Sequence, residues 1–426
     1  MKRLHFCWPL FLTAALVGAM ALPAKSQETT STPPALGLSL DALVSEALNQ
    51  NPELKFYESE LAAARAGRKT AGAVPNPEVS GTIGRKTIHG SGAGAEGLVW
   101  SVSVVQPFEW PGRMGLRKAI ANRDVELAEL GFSHFKLALA GRVRMLAYGL
   151  FAAQEKAAAA REVAERFQVL REVVVQRDAA GLTPLLEVRI IEATELTLQR
   201  KAGDATLAAQ SALLELNQLR GVAPNEPLRV APPEIALQSR GGSGSVLAMA
   251  QTNNFDLRLR ASELAQQGFK VELAKNERFP ALSIGPTYSE ERAGDRERII
   301  GLGVSLPLPL WNRNGGNIDA ARARQAQAEI SFALAQRDVE RKVLEASLTY
   351  ETKVREMAKW RADSVQHFKE AAELADRHYR LGAVPISTYV ELQKQYLEAV
   401  ESLLETKQAA LEAAARLDLL TGKGAP

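Results

Sequence analysis

The feature that most constrains this chain is the stretch of residues 98–178. It begins as a short β pattern in which Trp100 and Val102 alternate with serines, and then becomes a helical pattern that contains no proline until Pro184. At 1.5 Å per residue, a helix over residues 114–178 is on the order of 95 Å long. One globular core cannot cover such a helix, so the fold must explain a membrane-length strand that leads into it.

The same arrangement returns in the second half of the chain. Two sets of six residues match at one spacing of 203, namely Asn51, Leu54, Glu60, Leu61, Pro77 and Ser80 with Asn254, Leu257, Glu263, Leu264, Pro280 and Ser283. Gly181 and Pro184, which end one helix and open the next, return as Gly382 and Pro385. The sequence therefore predicts an internal two-fold repeat of helices around a β-hairpin.

The N-terminus has the pattern of a secretory signal peptide. Lys2 and Arg3 precede an apolar core, and small residues precede Gln27. The apolar run is short for a membrane anchor. The only cysteine, Cys7, would leave with the signal. The net charge of +3 would also fall to near neutral after cleavage, because the signal carries Lys25 as a third cation, and a near-neutral chain is not typical of a nucleic-acid binder.

Proline, glycine and the repeat together predict the domain boundaries. We expect a signal peptide over residues 1–26, a leader over 27–38, a first repeat over 39–221, an inter-repeat linker over 222–244, a second repeat over 245–422 and a tail over 423–426. The hairpins of the two repeats are expected over residues 78–106 and 281–308, the second with a charged tip over 290–298. The long helix of the second repeat, which also lacks proline, is expected to continue unbroken to Arg380.

Each repeat supplies two strands of about ten residues, which is the length of a tilted transmembrane strand. Four strands are too few to close a membrane barrel, which needs about eight, and an open sheet edge in lipid leaves unpaired backbone groups. If the strands lie in a membrane, subunits must share one barrel. A dimer would supply eight strands and a trimer twelve, and the pattern does not choose between them. The helices would extend this barrel as a coiled-coil tube.

Three segments carry a family resemblance, and they are residues 76–80, 106–113 and 307–316. On these segments and the repeat, the chain resembles the outer-membrane factor family, the TolC-like channels, and within it the CzcC-like branch of heavy-metal efflux. The resemblance implies a TolC-like fold, mainly α with membrane β. In that fold a homotrimer forms a 12-strand outer-membrane β-barrel that continues as a 12-helix periplasmic α-barrel. Residues 223–244 would then belong to the belt around the tunnel.

The resemblance also implies location and partners. The channel would lie in the outer membrane of a Gram-negative bacterium, in contact with outer-membrane lipid, with its tunnel extending into the periplasm. It would dock to a periplasmic adaptor (membrane fusion protein) and an inner-membrane pump of the resistance-nodulation-division (RND) type. The function implied is the exit duct of a tripartite efflux system that exports heavy-metal cations. A multidrug or type I secretion channel is the first alternative, and a soluble periplasmic coiled-coil scaffold is the second.

Two sets of site residues are carried over from the family. Adaptors there meet the tips of the helical hairpins, which match Gly181, Leu182, Thr183, Arg380, Leu381, Gly382, Ala383 and Val384. Ordinary turn chemistry also accounts for the glycines at these tips. The periplasmic aperture in the family is narrowed by acidic residues, which match Glu187 and Glu391. A ring of such carboxylates would attract cations, whereas the alternative is a solvated helix face.

No pattern in the sequence predicts catalysis, a cofactor or a metal site. The chain has no HExxH, GxSxG or Walker A motif, and the mature chain would have no cysteine nucleophile. His367 and His378 share a helical stripe but lie roughly 16 Å apart, too far to bind one ion. We therefore predict a protein that is not an enzyme, and a duct whose pump selects the substrate.

Overall fold

The computed structural model describes residues 37–89, 94–178, 185–233, 241–361 and 363–423. The predicted signal peptide, most of the predicted leader and parts of the predicted linker and tail lie outside these ranges. The first repeat contains α1 (Leu40–Gln50), α2 (Pro52–Ala71), β1 (Glu78–Ile88), β2 (Ala95–Phe108), α3 (Arg113–Asp178) and α4 (Leu185–Arg220). The second contains α5 (Ser243–Asn253), α6 (Phe255–Asn276), β3 (Leu282–Ala293), β4 (Asp295–Ser305), α7 (Gly315–Ala358), α8 (Ser364–Arg380) and α9 (Ile386–Thr421).

The long helix of the first repeat is confirmed. The helix α3 has 66 residues, which is about 99 Å at 1.5 Å per residue, and α4 packs along it. Alanine, leucine, glutamate and arginine dominate its sequence, and these residues lose little side-chain freedom in a helix. Within the described ranges, no helix has both the length and the apolar character needed to cross a bilayer.

The long helix of the second repeat is not continuous, so the prediction of one helix to Arg380 is wrong. The helix α7 ends at Ala358, and α8 begins at Ser364. At the break the N–H of Lys359 donates to the carbonyl of Glu356, and the N–H of Trp360 donates to that of Met357, at 3.1 and 3.0 Å. These bonds span three residues instead of four and tighten the last turn. The absence of proline permits a continuous helix but does not require one.

The four strands form one antiparallel sheet in the order β1-β2-β3-β4. The two hairpins meet where β2 pairs with β3, so β1 and β4 are the edges of the sheet within this chain. The expected charged tip of the second hairpin is wrong in its extent. Glu290 to Ala293 belong to β3, and Asp295 to Arg298 belong to β4. The chain reverses at Gly294, whose φ of +90° suits glycine.

The two faces of this sheet differ in chemistry. One face is apolar and solvent-exposed in the single chain, with Val79, Ile83, Ile300 and Leu302 between 70% and 81% exposed. On the other face hydroxyl groups pair across the strands, and the oxygens of Ser80 and Ser103 lie 2.8 Å apart. Alternation along each strand produces this division, because successive side chains point to opposite faces.

The two repeats begin their second helices with the same cap. Asn51 accepts a hydrogen bond from the N–H of Glu53 and donates one to the carbonyl of Leu219 at 2.9 Å. Asn254 likewise donates to the carbonyl of Leu420 at 2.8 Å. Each asparagine therefore caps one helix and also satisfies a carbonyl near the end of the last helix of its repeat.

Two glycines complete these junctions. Gly221 follows α4 with a φ of +71°, and Gly422 follows α9 with a φ of +63°. A Cβ atom on Gly221 would lie 2.8 Å from the carbonyl oxygen of Gln50. On Gly422 it would lie 2.7 Å from that of Asn253. Close backbone approach and a positive φ both require glycine at these two positions. The same junction therefore recurs at the end of each repeat.

The apolar core is divided among several clusters along the helices. One surrounds Phe167, Ile191 and Tyr389, which are fully buried where α3, α4 and α9 meet. A second surrounds Leu43 and Val143, and others join the helices of the second repeat. The first of these clusters includes Tyr389 and Val390, the two residues before Glu391, and Val188, the residue after Glu187, packs against it.

Candidate functional site

The tip between α8 and α9 is a glycine-capped turn. The N–H of Gly382 donates to the carbonyl of Tyr379, and the N–H of Ala383 donates to that of His378, both at 2.9 Å. Gly382 has a φ of +74°, as this type of helix cap requires. Leu381, beside it, is 81% exposed. The turn thus places an apolar side chain in solvent at the end of the helical hairpin.

The charged residue of this tip is fixed by its own helix. The Nε of Arg380 lies 2.9 Å from Oδ2 of Asp376, one turn earlier on α8, and the arginine side chain remains 44% exposed. Val384 is half-buried. The tip therefore offers a partner one apolar side chain and one oriented guanidinium group. The predicted tip of the first repeat, Gly181, Leu182 and Thr183, lies outside the described residues.

Glu187 lies in the first turn of α4 and is linked to the second repeat. The hydroxyl group of Tyr379 on α8 donates a hydrogen bond to its Oε2 at 3.2 Å. The ring of Tyr379 stacks on Tyr389 with centroids 5.5 Å apart, and Tyr389 lies 5.1 Å from Phe167. The stack of Tyr379 on Tyr389, with Phe167 tilted against it, thus orients the hydroxyl group that donates to Glu187.

Tyr389 is fully buried at the centre of this stack. Burial is the main cause that raises the pKa of its phenol, and the carboxylate of Asp376 raises it further. The phenol is therefore neutral throughout the ordinary range of pH. It behaves as a part of the apolar core that fixes the ends of α8 and α9.

Glu391 lies in a different environment. Its side chain is exposed and accepts a hydrogen bond of 3.0 Å from Nε2 of Gln395, one turn later on the same helix. The contacts of Glu187 lead to α8, whereas this contact of Glu391 stays within α9. The structure thus does not join the two predicted aperture residues in one hydrogen-bonded group.

An ion-pair network holds α8 on α3 behind the tip. Arg166 on α3 contacts Glu162 at 2.7 Å and Glu373 at 3.4 Å, and Lys369 lies 3.2 Å from Glu162. Arg166 is only 18% exposed, so screening by water weakens these contacts less than it weakens surface pairs. The network keeps α8, which follows the break after α7, packed against the continuous helix α3.

Sequence reasoning missed Tyr379 and this network. The pair Asp376 and Arg380 has a visible spacing of four residues, but the partner of Tyr379 lies in the other repeat, where no local pattern reveals it. Among the described residues, no group of three or more histidine, cysteine, aspartate or glutamate side chains is arranged to hold a metal ion.

Comparison with known families gives one extensive match. The family model described as outer membrane efflux protein matches residues 43–222 and 246–423. The two matched segments together cover most of the chain. They also divide it between the two repeats.

Individual relatives match over most of their length. The chain is 25% identical over 356 residues to the cobalt-zinc-cadmium resistance protein CzcC of Cupriavidus metallidurans, covering 82% of each chain. It is 23% identical over 410 residues to the pyoverdine export outer membrane protein OpmQ of Pseudomonas aeruginosa, covering 90% of this chain and 85% of that protein. Its fold is similar to the CmeC outer membrane channel of Campylobacter jejuni, with a TM-score of 0.74, 17% identity, and 90% of this chain and 86% of that chain covered.

Proposed function

The chain belongs to the outer membrane efflux protein family, and from this premise we propose that it is the exit duct for heavy-metal cations in a tripartite efflux system. The main support for a duct is the four-stranded sheet, which has one apolar face. Within the described residues β1 and β4 are its unpaired edges, and a long helix follows the hairpin of each repeat. A free edge in lipid is costly, so three copies would pair β4 of one with β1 of the next and close a barrel of twelve strands. The chain is thus a channel protein and not an enzyme.

The metal cargo is supported by likeness and not by a binding site. The relative CzcC is named for resistance to cobalt, zinc and cadmium, and the likeness covers 82% of both chains. OpmQ, which is named for pyoverdine export, is similar at almost the same identity and supports the alternative of an organic cargo. We propose that the pump, and not the duct, selects the substrate.

The test is a tolerance assay in a host that lacks its own outer-membrane channels. The gene is expressed with and without its neighbouring genes, and minimum inhibitory concentrations are compared for zinc, cobalt, cadmium, nickel, copper and silver and for a panel of dyes and antibiotics. We expect tolerance to metals to return while tolerance to drugs is unchanged. Restored drug tolerance alone would overturn the metal cargo. A protein found soluble in the periplasm that restores neither would overturn the duct.

We also propose that the hairpin tips dock a periplasmic adaptor, which connects the duct to an RND pump in the inner membrane. The exposed Leu381 and the oriented Arg380 support this, because an apolar side chain beside a charged one suits packing against a helical hairpin. Leu381→Asp is expected to abolish cross-linking to the adaptor in cells. Leu207→Asp on α4, where leucine is 64% exposed, is the control and is expected to keep it.

The aperture is the second proposed site. Glu187 and Glu391 from three copies would place six carboxylates near the periplasmic mouth and favour cations. In planar bilayers with a potassium chloride gradient, Glu187→Gln and Glu391→Gln should each lower the cation selectivity measured by reversal potential. Glu405→Gln, where glutamate is 67% exposed and pairs with Lys156, is the matched control. Unchanged selectivity in both aperture variants would assign these residues to a solvated helix face.

We propose the same domain boundaries that the sequence predicts. Residues 1–26 would be removed as a signal peptide, residues 27–38 would form a leader, and residues 222–244 would lie between the repeats 39–221 and 245–422, with 423–426 as a tail. The parallel bridge between Leu38 and Val230 supports a contact of leader and linker. N-terminal sequencing of the mature protein is expected to begin at Gln27.

A further inference from the structure

Three arginines surround one glutamate at the hairpin end of the sheet. The carboxylate of Glu290 accepts hydrogen bonds from Nε of Arg292 at 2.7 Å and from a terminal nitrogen of Arg296 at 2.8 Å. Nε of Arg298 lies 3.5 Å from it, and the hydroxyl group of Tyr288 donates to it at 3.1 Å. Glu290 itself is only 2% exposed. We call the three arginines with Glu290 the arginine cluster.

The strand register puts this cluster on the apolar face. Glu290 pairs across the sheet with Trp100, and two residues farther from the hairpin turn Tyr288 pairs with Val102. Tyr288 also pairs with the exposed Ile300 on β4. All of these residues share one face because side chains two apart on a strand point the same way. The face is therefore apolar along most of its length and basic at the end near Gly294.

The cluster carries more positive charge than its own acid neutralises. One carboxylate faces three guanidinium groups, and the arginine side chains remain 57%, 50% and 55% exposed. Nearby, Arg85 on β1 pairs with Glu96 on β2 and adds no net charge. A structural ion pair needs only one arginine for Glu290. Each guanidinium group carries several N–H donors, and among the described residues Arg292 and Arg296 each donate one side-chain hydrogen bond to Glu290, so the cluster can also bind an anion from outside the chain.

We propose that the arginine cluster binds the phosphate groups of lipid A in the outer leaflet of the outer membrane. The apolar part of the face lies in the hydrocarbon, and the hairpin ends, opposite the long helices, lie at the outer headgroups. The rings of Trp100 and Tyr288 contact each other there, with centroids 5.2 Å apart and planes inclined by 43°, and such aromatic residues mark the headgroup level of membrane barrels. Arginine binds phosphate through two parallel hydrogen bonds, and Glu290 holds the guanidinium groups in place for this.

The inference rests on the sheet lying in the outer membrane and does not depend on the cargo. Arginines facing lipid without an anion would be costly, although less so near the interface than at the centre of the bilayer. A phosphorylated lipid supplies that anion at the right depth. The interaction would also explain why so much positive charge lies next to an apolar band.

The first measurement needs no variant. The purified trimer in neutral detergent is titrated with diphosphorylated lipid A and with lipid A from which both phosphates have been removed, and binding is followed by native mass spectrometry. We expect adducts with the phosphorylated form that weaken as the salt concentration rises. Equal binding of both forms would overturn the proposal, because it would show that acyl chains alone are recognised.

The second measurement uses Arg296→Gln combined with Arg298→Gln, which leaves Arg292 to pair with Glu290. Two arginines at an anionic lipid surface predict binding about 30-fold weaker in the variant. Arg200→Gln with Arg361→Gln removes the same charge from helical-region arginines that are 85% and 80% exposed, and is expected to bind like wild type. Equal loss in both double variants would overturn the proposal. Normal metal tolerance with no lipid binding would refute this inference alone and leave the duct standing.

Discussion

The hydroxyl group of Tyr379 on α8 donates a hydrogen bond of 3.2 Å to Glu187 on α4. This bond joins the second repeat to the first at the proposed aperture, and the stack of Tyr379 on Tyr389 fixes its direction. The Glu187 carboxylate is half-buried and already accepts this hydrogen bond, so few side-chain orientations are open to it. The bond therefore connects the conformation of the α8–α9 tip to the position of the Glu187 carboxylate at the proposed aperture.

Tyr379→Phe should loosen the aperture. It removes the donor to Glu187 but keeps the aromatic stack, and we expect a loss of about 1 kcal/mol, below the usual value for a hydrogen bond to a charged group because Glu187 is partly exposed. Single-channel conductance in planar bilayers is expected to rise or fluctuate more. Tyr57→Phe, whose ring stacks on Phe135 far from the tip in sequence, is the control. Identical traces for both variants would contradict the prediction.

Gly221→Ala should destabilise the subunit by about 1–3 kcal/mol, the cost of a left-handed backbone for a residue with a side chain. The added methyl group would also meet the carbonyl of Gln50. Gly422→Ala is expected to behave alike because the contact recurs at Asn253. Thermal unfolding in detergent measures the effect. Gly203→Ala within α4, where a Cβ meets no atom within 4 Å, should instead be neutral or stabilising. Equal melting of the three variants would refute the argument.

Val102→Lys should impair insertion into the outer membrane much more than Ser101→Lys. These neighbours on β2 point to opposite faces, and Val102 shares the apolar face with Ile83 and Ile300. A lysine that faces lipid costs about 1 kcal/mol or less near the headgroups and about 2–4 kcal/mol at the bilayer midplane, whereas a lysine on the opposite face of the strand avoids this cost. The amount of trimer that resists SDS, measured in outer-membrane fractions, reports the difference. The prediction fails if the serine variant is the more damaging of the two.

The folded tip should lose stability at alkaline pH through Tyr389. Burial raises the pKa of its phenol above the value near 10 that it has in the unfolded chain. The folded state therefore holds the proton more tightly, and this contribution to stability is present below pH 10 and is lost as the pH rises above it. Tyr389→Phe removes the ionisable group. We expect a smaller fall in melting temperature between pH 9 and pH 11 than in wild type.

A Tyr389→Phe variant whose melting temperature falls as steeply as that of wild type between pH 9 and pH 11 would contradict the prediction. A wild-type protein with no fall above pH 10 would show that Tyr389 does not limit stability there.

The features predicted from the sequence are those that local chemistry determines. Proline-free runs of helix formers predicted α3, and alternation predicted the strands and their two faces. Each of these signals lies within a few residues of the feature that it predicts.

The features that were missed depend on contacts between distant parts of the chain. Glu290 and its arginines have the composition of a loop, yet pairing with β2 and β4 extends the strands through them. No glycine or proline lies near the break at Lys359, so the sequence gives no local signal for it. The partner of Tyr379 lies 192 residues away. Propensity is only a weak guide where such tertiary contacts decide the outcome.

The break between α7 and α8 has a consequence for symmetry. Three copies of a chain with two repeats approximate a sixfold ring, but α3 is continuous where its counterpart in the other repeat is interrupted. If three copies close the ring as proposed, continuous and interrupted helices alternate around it, so its symmetry is threefold. The two repeats would then present different surfaces to an adaptor, and identical adaptor molecules could not bind both surfaces with equal affinity.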